Sequence, residues 1–465
     1  MATLQTILGQ PIRWQAAPGD ADLALFLGDL QANILKGHGR HHTGNLFLSF
    51  AGMTPDDVAA VLRTLGQNCT SAYSQLRKNR RQPPYLDGGT VMCVFLSAGG
   101  YRALGPLATL PPGEAFAADM PARQAILSDP PRSAWQAAGW TEGLPAPDAM
   151  VLVADAREQQ VTAALEAVEG WLNGTGVRVL VVERGRQQTR VFKHGAAAEG
   201  VEHFGYVDGR SQPLFLEEDL AKEPQAQWSA RFNPSQFIVA DPNGRTPLSA
   251  GSYFVFRKLE QNVRGFKKAE EDLAAALGLV GEDAERAGAT IVGRFEDGTP
   301  IVLSEDATQD PPPNDFTFDA DTNGAKCPFH AHIRKTNPRG DVKRQFGLPD
   351  ASGDRNPIMA RRGITYGHRR RKADDTDFAD PEGQEPTGDV GLLFMAYMAS
   401  IEAQFEFTQQ SWANNEDFVR PGTGVDPVIG QGAGAKPLGF GGFVKMLGGA
   451  YFFAPSLSFL RSVGT

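Results

Sequence analysis

Residues 149–182 read AMVLVADAREQQVTAALEAVEGWLNGTGVRVLVV, a pattern that predicts a strand, a helix and a second strand. The apolar run 149–154 and the β-branched run 177–182 are typical of strands. Between them, apolar residues recur at the spacing of one helix face: Val161, Leu165, Val168 and Leu172. The stretch therefore predicts a helix packed on a sheet through one apolar face.

A similar unit precedes this one. Residues 45–50 alternate as a strand does, and residues 91–96 form a second apolar run. Between them, Thr54 suits a helix N-cap and Pro55 suits the first helical position. Further upstream, helical spacing of apolar residues predicts a helix over 22–36. Two such units in one half of the chain predict a ferredoxin-like arrangement, in which helices cover one face of an antiparallel sheet.

The second half repeats the pattern with longer interruptions. Its predicted elements are strands at 253–256, 301–303 and 392–398, helices at 267–277 and 401–412, and a hairpin at Gly448-Gly449 between strands 443–447 and 451–453. The charged stretch 217–233 predicts a domain boundary. We therefore expect an α+β fold of two ferredoxin-like domains, 1–220 and 221–465, each an antiparallel sheet flanked by helices in a dimeric α+β barrel-like arrangement. Loops 306–326 and 372–389 are long enough to carry function.

Composition excludes some partners. The 465 residues carry a formal net charge of −9, which argues against nucleic acid or an anionic membrane as the main partner. The three cysteines are far apart, which indicates a reducing compartment and no paired-cysteine zinc site. The chain begins without a signal-peptide pattern and has no run of about 18 apolar residues. We expect a cytoplasmic protein, with a homodimer as one possible assembly.

Residues 327–339, CPFHAHIRKTNPR, combine two histidines with three cations. His330 and His332 lie beside Cys327, and the cations are Arg334, Lys335 and Arg339. Haem needs one strong axial ligand for its iron and cationic partners for its propionates, so this segment is a candidate haem site. A solvated surface pair of histidines is the alternative, and Cys327 as a thiolate ligand is a lesser one.

A second motif could add proton chemistry. In Gly205-x-x-Asp208-Gly209 the glycines let the backbone bend sharply around a carboxylate. The apolar residues 213–215 that follow would keep Asp208 near a dry pocket, where it could carry a proton. The alternative is a plain Asp-Gly turn.

Arg361 and Arg362 lie between apolar residues. A cation in that setting needs a partner if it is buried, and an anion or a peroxide would serve. Leu392 and Phe394 lie on one side of a predicted strand and could form an apolar wall. A surface cation pair and ordinary core packing are the alternatives.

Other clusters indicate function less strongly. An acidic patch could bind Mn²⁺ through carboxylate oxygens, although a solvated helix face explains it as well; its members are Glu260, Glu270, Glu271 and Glu282. The histidines His38, His41 and His42 favour a solvated loop over a metal site. Gly430-x-Gly432-x-Gly434 lacks the strand and helix of a dinucleotide site and is predicted to be a loop.

Together and in chain order, these motifs resemble the dye-decolourising peroxidases. The resemblance lies in Gly205-x-x-Asp208-Gly209, in HIRKTNPR at 332–339, in RRGITYG at 361–367, in YFFAPSL at 451–457, and in NILKGHG at 33–39, which is similar to the opening helix of that family. The length and the inserted loops resemble the larger members. Thr365 stands where the family usually has proline.

The resemblance implies haem b in the second of two ferredoxin-like domains. It implies His332 as the proximal iron ligand, Asp208 and Arg361 as a distal pair, and Arg339 as a propionate partner. The remaining cofactor-lining residues would be Gly209, Leu392 and Phe394. His330 is the rival ligand, because residues two apart on an extended strand point to the same side.

The function that follows is a haem peroxidase. It would reduce hydrogen peroxide and oxidise anthraquinone and azo dyes and phenolics in one-electron steps through an oxoferryl intermediate, with Mn(II) as a further candidate substrate. Asp208 would move the proton between the peroxide oxygens, and Arg361 would stabilise the negative charge. Because an unperturbed aspartate has a pKa of about 3.9, we expect an acidic optimum.

Bulky dyes do not fit a tight peroxide pocket, so electrons must reach it from the surface. Tyr366 and Trp412 are the candidate electron relays, and Glu406 is the candidate partner of the His332 imidazole. The alternative function is a haem-binding or haem-transfer protein, which needs no distal proton shuttle.

Overall fold

The fold is built on a ten-stranded antiparallel sheet, seen in a computed structural model that describes residues 2–79, 88–135, 139–193, 198–307 and 312–465. The strands are β1 His42–Ser49, β2 Val91–Leu96, β3 Ala149–Asp155, β4 Arg178–Arg186, β5 Gln188–Val191, β6 Ala198–Val201, β7 Val239–Ala240, β8 Ala250–Gln261, β9 Ala360–Arg361, β10 Ile364–Tyr366, β11 Gly391–Met398 and β12 Val444–Ala454. Strands β5 and β6 pair separately. Residues 308–311 of the predicted loop 306–326 lie outside the described residues.

Helices cover the sheet and fill the long connections. They are α1 Leu4–Leu8, α2 Ala21–Asp29, α3 Pro55–Asn68, α4 Ala72–Asn79, α5 Ala98–Ala103, α6 Glu114–Ala118, α7 Gln124–Leu127, α8 Glu158–Leu172, α9 Glu217–Leu220, α10 Val263–Leu277, α11 Glu285–Val292, α12 His332–Thr336, α13 Asp341–Phe346, α14 Ser352–Arg355 and α15 Leu457–Ser462. Two π-helical segments, Ile401–Glu406 and Thr408–Ala413, follow β11. Within the described part of the chain, no helix is both long and apolar enough to cross a membrane.

The strand order confirms the predicted fold class. The main path runs β10-β11-β8-β12-β2-β3-β1-β4, so each half of the chain supplies four neighbouring strands of a ferredoxin-like sheet. The halves join where Phe453 of β12 pairs with Leu96 of β2. The division into 1–220 and 221–465 remains our prediction; strands β1 to β6 precede it and β7 to β12 follow it.

The two ends of the strand path approach each other through Thr365 of β10. Its hydroxyl accepts a hydrogen bond from the Gln188 amide at 3.2 Å and donates one to the Arg186 carbonyl at the end of β4. The sheet therefore curves towards a barrel. A proline at this position would have no hydroxyl to make these bonds.

The local signals explain several elements. Helix α3 begins as predicted, because the Thr54 hydroxyl accepts a hydrogen bond from the Asp57 amide at 3.2 Å. Helix α8 buries the predicted face against the sheet. The core is shared between the halves: the Phe47 ring lies 4.7 Å from the Trp140 ring and 4.8 Å from the Phe256 ring.

The predicted hairpin at Gly448-Gly449 is wrong. These residues lie inside the single strand β12, next to a bulge after Met446. The glycines provide space: a Cβ at Gly448 would lie 2.4 Å from Trp140 Cγ, and a Cβ at Gly449 would lie 2.6 Å from Met120 Sδ. A pair of glycines is typical of a turn, but here it allows close packing inside a strand.

Two smaller predictions are also wrong. Residues 301–303 form a turn, in which the Leu303 amide donates to the Pro300 carbonyl. Helix α2 ends at Asp29, because Leu30 adopts extended backbone. Ile34 is nevertheless buried, so its place in the apolar periodicity reflects packing outside a helix.

Candidate active site

One cavity gathers all seven residues predicted to be catalytic or to bind the cofactor. Among its lining residues are Asp208, Gly209, His332, Arg339, Arg361, Leu392 and Phe394. They come from four separate parts of the chain, namely 208–209, 332–339, 361 and 392–394. Leu392 and Phe394 alternate along β11, so both side chains lie on the face of the sheet that forms the cavity wall.

His332 is held by a buried carboxylate. Its Nδ1 lies 2.9 Å from Oδ2 of Asp426, whose other oxygen accepts hydrogen bonds from the amides of Val428 and Ile429 at 2.8 and 3.0 Å. Burial raises the pKa of Asp426, but the charge of His332 and these hydrogen bonds outweigh it and hold the pKa below its ordinary value. An ionised Asp426 keeps the proton on Nδ1, which leaves the Nε2 lone pair of His332 free for a metal.

Glu406 is not the partner of His332, contrary to our expectation. Its carboxylate accepts hydrogen bonds from Arg123 Nε and Nη2 at 2.9 and 2.8 Å and from the Tyr451 hydroxyl at 3.1 Å. The acceptor that does contact His332 lies 94 positions along the chain, in the loop after the π-helical segments. No spacing pattern in the sequence marks it.

The two rival ligands lie elsewhere. His332 begins the short helix α12 and residues 330–331 form a turn and a bend, so the extended strand assumed for residues 330–332 is wrong. His330 does not line the cavity, and burial followed by the charge of Lys335 lowers its pKa to about 4. Cys327 is fully buried, and that burial raises its pKa to about 12, which disfavours a thiolate.

Of the three cations after His332, only Arg339 lines the cavity. Arg334 is buried in an ion-pair network, with its Nε 2.6 Å from Asp341 Oδ2 and its Nη1 2.9 Å from Asp321 Oδ2. Lys335 donates through Nζ to backbone carbonyls at the end of the second π-helical segment. Arg334 and Lys335 therefore fix the position of helix α12.

Arg339 has a second guanidinium beside it. Arg339 Nη2 and Arg294 Nη2 donate to the same Ser211 hydroxyl oxygen at 2.8 and 3.2 Å, and both arginines line the cavity. Burial, followed by the charges of Arg210 and Arg361, lowers the pKa of Arg294 to about 10, and burial with the charge of Arg294 lowers that of Arg339. Two buried cations on one serine make a site for an anion.

Sequence reasoning missed Arg294. It lies in the turn after helix α11, in no motif. Its pairing with Arg339 depends on tertiary structure alone.

Asp208 and Arg361 face each other. Arg361 Nη1 lies 3.4 Å from Asp208 Oδ1, and the side chains are 35% and 36% exposed. Gly205 and Gly209 have φ values of +102° and +84°, which explains the need for glycine on both sides of the aspartate. The Gln212 side chain accepts a hydrogen bond from the Arg361 backbone amide at 3.0 Å and so fixes the backbone of that arginine.

The hairpin before Asp208 is organised by a buried acid. The Glu202 carboxylate accepts hydrogen bonds from the amides of Phe204 and Tyr206 at 2.8 and 3.0 Å. Burial raises its pKa to about 7. Glu202 therefore shapes the turn that presents Asp208 to the cavity.

Known proteins of similar sequence identify the family of this chain. No protein-family profile matches the chain. The multifunctional dye peroxidase DyP2 of an Amycolatopsis species is 43% identical over 98% of this chain and 99% of its own length. The chain belongs to the dye-decolourising peroxidases. Like its relatives it is a peroxidase, and hence an oxidoreductase. The dye-decolorizing peroxidase msp1 of Mycetinis scorodonius is 30% identical over 97% of this chain and 90% of its own.

Solved structures of dye-decolourising peroxidases confirm the fold. The structure of DyP2 superposes with a TM-score of 0.85, covering 98% of this chain and 99% of that one at 41% identity. A DyP-type peroxidase of Anabaena has the same TM-score of 0.85 at 34% identity, with 98% and 97% of the two chains covered.

The relay candidates of this dye-decolourising peroxidase are both buried. Tyr366 is 7% exposed and Trp412 is 3% exposed, and neither lines the cavity. The Tyr366 ring lies 4.9 Å from Lys258 Nζ, and its hydroxyl has no hydrogen-bond partner among the described residues. The Trp412 ring stacks on Phe418 at 5.3 Å.

The acidic patch and the histidine cluster that were considered as metal sites do not form one among the described residues. Within the described ranges, no group of three or more histidine, cysteine or acidic side chains could hold a metal ion. In the acidic patch, Glu270 pairs with Lys267 at 2.8 Å and Glu282 pairs with Lys193 at 2.8 Å. His38 is buried, so the solvated loop expected for it is wrong, and burial with the charge of Arg40 lowers its pKa to about 3.

Proposed function

We propose that this dye-decolourising peroxidase is a haem enzyme that reduces hydrogen peroxide and oxidises dyes and phenolics in one-electron steps. One observation carries the proposal. A single cavity is lined both by His332, whose Nδ1 is bound to Asp426, and by the Asp208–Arg361 pair. That set combines a metal ligand with an acid–base group and a cation.

The residues fit haem b. His332 would bind the iron through Nε2, because Asp426 occupies Nδ1. Arg339 and Arg294, which have no ion pair among the described residues, would hold the propionates. Leu392 and the other apolar wall residues would cover the ring faces. Haem bound here would supply the iron that exchanges single electrons with peroxide and with the aromatic donors.

Asp208 would act as acid and base. Its carboxylate would accept the proton of one peroxide oxygen and return it to the other, the leaving oxygen, as the O–O bond breaks. Arg361 would stabilise the negative charge that develops on the oxygens. Gln212 would keep Arg361 in place through the backbone hydrogen bond at 3.0 Å.

The same pair favours a peroxidase over a haem carrier. A protein that only binds or transfers haem needs an axial ligand and propionate partners, but it has no use for a carboxylate and a cation 3.4 Å apart in the same cavity. We do not extend the proposal to Mn(II), because the acidic patch does not assemble into a metal site among the described residues.

Tyr366 and Trp412 enter the proposal as interior relays only. Both rings are buried, so neither can be the surface group that contacts a bulky dye. Trp412 lies edge-on to Phe407, with ring centres 5.6 Å apart, and Phe407 is 39% exposed. An electron from a docked dye would therefore pass the Phe407 ring to reach Trp412.

Replacing the acid–base group tests the proposal. In Asp208→Asn we expect the haem-loaded protein to react with one equivalent of peroxide about 10²- to 10⁴-fold more slowly, as loss of a general acid–base does. Stopped-flow absorbance of the haem measures this rate, and haem content is measured in the same samples. The matched control is Asp272→Asn on the exposed face of α10.

Two results would contradict the proposal. A reaction rate in Asp208→Asn within a few-fold of the control would remove Asp208 from the mechanism. A haem-loaded wild type that fails to react with peroxide within seconds would instead support the carrier.

A further inference from the structure

A second cavity, of about 510 Å³, adjoins the first at the Asp208–Arg361 pair. Four residues line both cavities: Asp208, Gly209, Arg361 and Leu392. The reactive pair therefore stands at the junction of the two cavities. Hydrogen peroxide has only two heavy atoms, and binding beside the Asp208–Arg361 pair would not fill a space of this size.

The inner wall of the second cavity is apolar. Leu35 and Phe215 are 4% and 1% exposed, and Ile364 of β10 is 8% exposed. Lys222 and Glu223 are exposed and lie at the rim. These apolar side chains form a wall that suits a small organic substituent, while charged residues, among them Arg40, Arg362 and Asp219, line the rest of the cavity.

One hydrogen-bond donor beside the apolar wall of the second cavity is His38. His38 is 7% exposed, and its Nδ1 accepts a hydrogen bond from the Arg40 amide at 2.9 Å, which places the proton on Nε2. That Nε2–H makes no hydrogen bond in the described part of the chain, and His38 lines the cavity. A neutral donor close to an apolar wall can bind an ether-like or alcohol oxygen.

The wall of the second cavity is pinned from two sides. Arg362 donates through Nε and Nη2 to the carbonyls of Asn33 and Ile34 at 3.0 and 3.1 Å. Gln75 donates to the carbonyls of Lys36 and Gly37 at 3.0 and 3.1 Å. The segment 33–39, which the sequence resemblance singled out, thus forms a fixed wall, and the space is already open before a ligand arrives.

From this geometry we infer that the second cavity binds the organic substituent of an alkyl or aryl hydroperoxide, so that the enzyme accepts such hydroperoxides as oxidants. The inference rests on the proposed function and extends it to a second class of peroxide. The peroxide oxygens would lie beside the Asp208–Arg361 pair, and the substituent would extend towards Leu35 and Phe215. His38 would donate to the oxygen next to the substituent.

The reaction balances with the same donors. One hydroperoxide and two aromatic donors, each giving one electron and one proton, yield one alcohol, one water and two donor radicals. The O–O bond is the bond that breaks. Asp208 takes the hydroperoxide proton and returns it to the alkoxy oxygen, which leaves as the alcohol.

Filling the second cavity tests the inference. Gly37 lines it and does not have positive φ, and a Cβ there would lie 3.5 Å from Arg362 Cδ, an ordinary contact. Gly37→Leu in the haem-loaded enzyme should lower the ratio of kcat/KM for cumene hydroperoxide to that for hydrogen peroxide by about tenfold or more, as pocket filling does. The matched control is Gly28→Leu in α2, where a Cβ meets no atom within 4 Å.

A binding measurement separates the second cavity from catalysis. Titration calorimetry with 2-phenyl-2-propanol, the alcohol product, should show binding to the wild type and to Gly28→Leu that Gly37→Leu weakens about tenfold or more. An unchanged ratio and unchanged binding in Gly37→Leu would overturn the inference.

Failure of the proposed peroxidase function can be distinguished from failure of the second-cavity inference. A wild type that uses hydrogen peroxide but not cumene hydroperoxide overturns the second-cavity inference and leaves the peroxidase proposal standing. A wild type that uses neither peroxide overturns both.

Discussion

Changing Asp426 to Asn should weaken the haem binding that we propose for His332 without removing the histidine. The Asp426 carboxylate accepts three hydrogen bonds, one from His332 and two from backbone amides. In Asp426→Asn the one remaining oxygen is held by the amides of Val428 and Ile429, so the NH₂ group turns to His332 Nδ1. Nδ1 must then accept, the ring proton moves to Nε2, and a protonated Nε2 cannot bind iron.

The magnitude follows from the bond that is lost. A hydrogen bond to a charged group contributes about 1.5–3 kcal/mol. At about 1.4 kcal/mol per tenfold change, this corresponds to a loss of haem affinity of about 10- to 100-fold, the range typical of partners behind a metal ligand. Asp426 is 1% exposed, so water cannot replace the lost acceptor.

The assay is a titration of the apo-protein with haem, followed by absorbance. Asp241→Asn is the matched control, because Asp241 is also buried and accepts from the Ser456 amide and hydroxyl, both at 2.7 Å, far along the chain from His332. Thermal unfolding of both variants measures the cost to folding. Equal haem affinity in wild type and Asp426→Asn, or an equal loss in both variants, would refute the reasoning.

Three further changes test packing, electron transfer and pH dependence. Gly448→Ala should destabilise the protein by about 1–3 kcal/mol in thermal unfolding, because its Cβ would lie 2.4 Å from the Trp140 ring, whereas Gly28→Ala should not; equal stability would contradict the close contact. Tyr366→Phe should slow oxidation of a large anthraquinone dye more than that of a small phenol, and equal rates on both would remove this relay. The folded-state pKa of Glu202 is about 7, above its ordinary 4.5, so folding takes up a proton in this window and the unfolding free energy should fall as pH rises through it. Denaturant unfolding across this window should show a flatter profile in Glu202→Gln, and an unchanged slope would assign the effect to other groups.

Local sequence signals predict the elements whose bounds depend only on residues nearby in the chain. Strand β2 at Val91–Leu96 matches its predicted bounds, and helix α3 begins at the predicted cap. The π-helical geometry after β11 was not predicted, since apolar spacing does not separate it from an α-helix. The role of Gly448 could not be predicted from local signals, because the ring that leaves no room for a Cβ there is distant in sequence.

The candidate site divides in the same way. Asp208, His332 and Arg361 stand in motifs that could be read from the chain, and the structure brings all three to one cavity. Asp426 and Arg294 stand in no motif. Their partners, His332 and Ser211, become neighbours only through tertiary packing. A single sequence carries no direct record of such pairs.

Strand β12 joins the two halves, and it follows every other strand in the chain. During synthesis, the strand in the middle of the sheet therefore leaves the ribosome after the other described strands. Until residues 444–454 emerge, β8 and β2 each expose an unpaired edge, which is a site for wrong pairing with other chains. Completion of this sheet, and with it the cavity wall at Val444 and Met446, must wait until residues 444–454 have been synthesised.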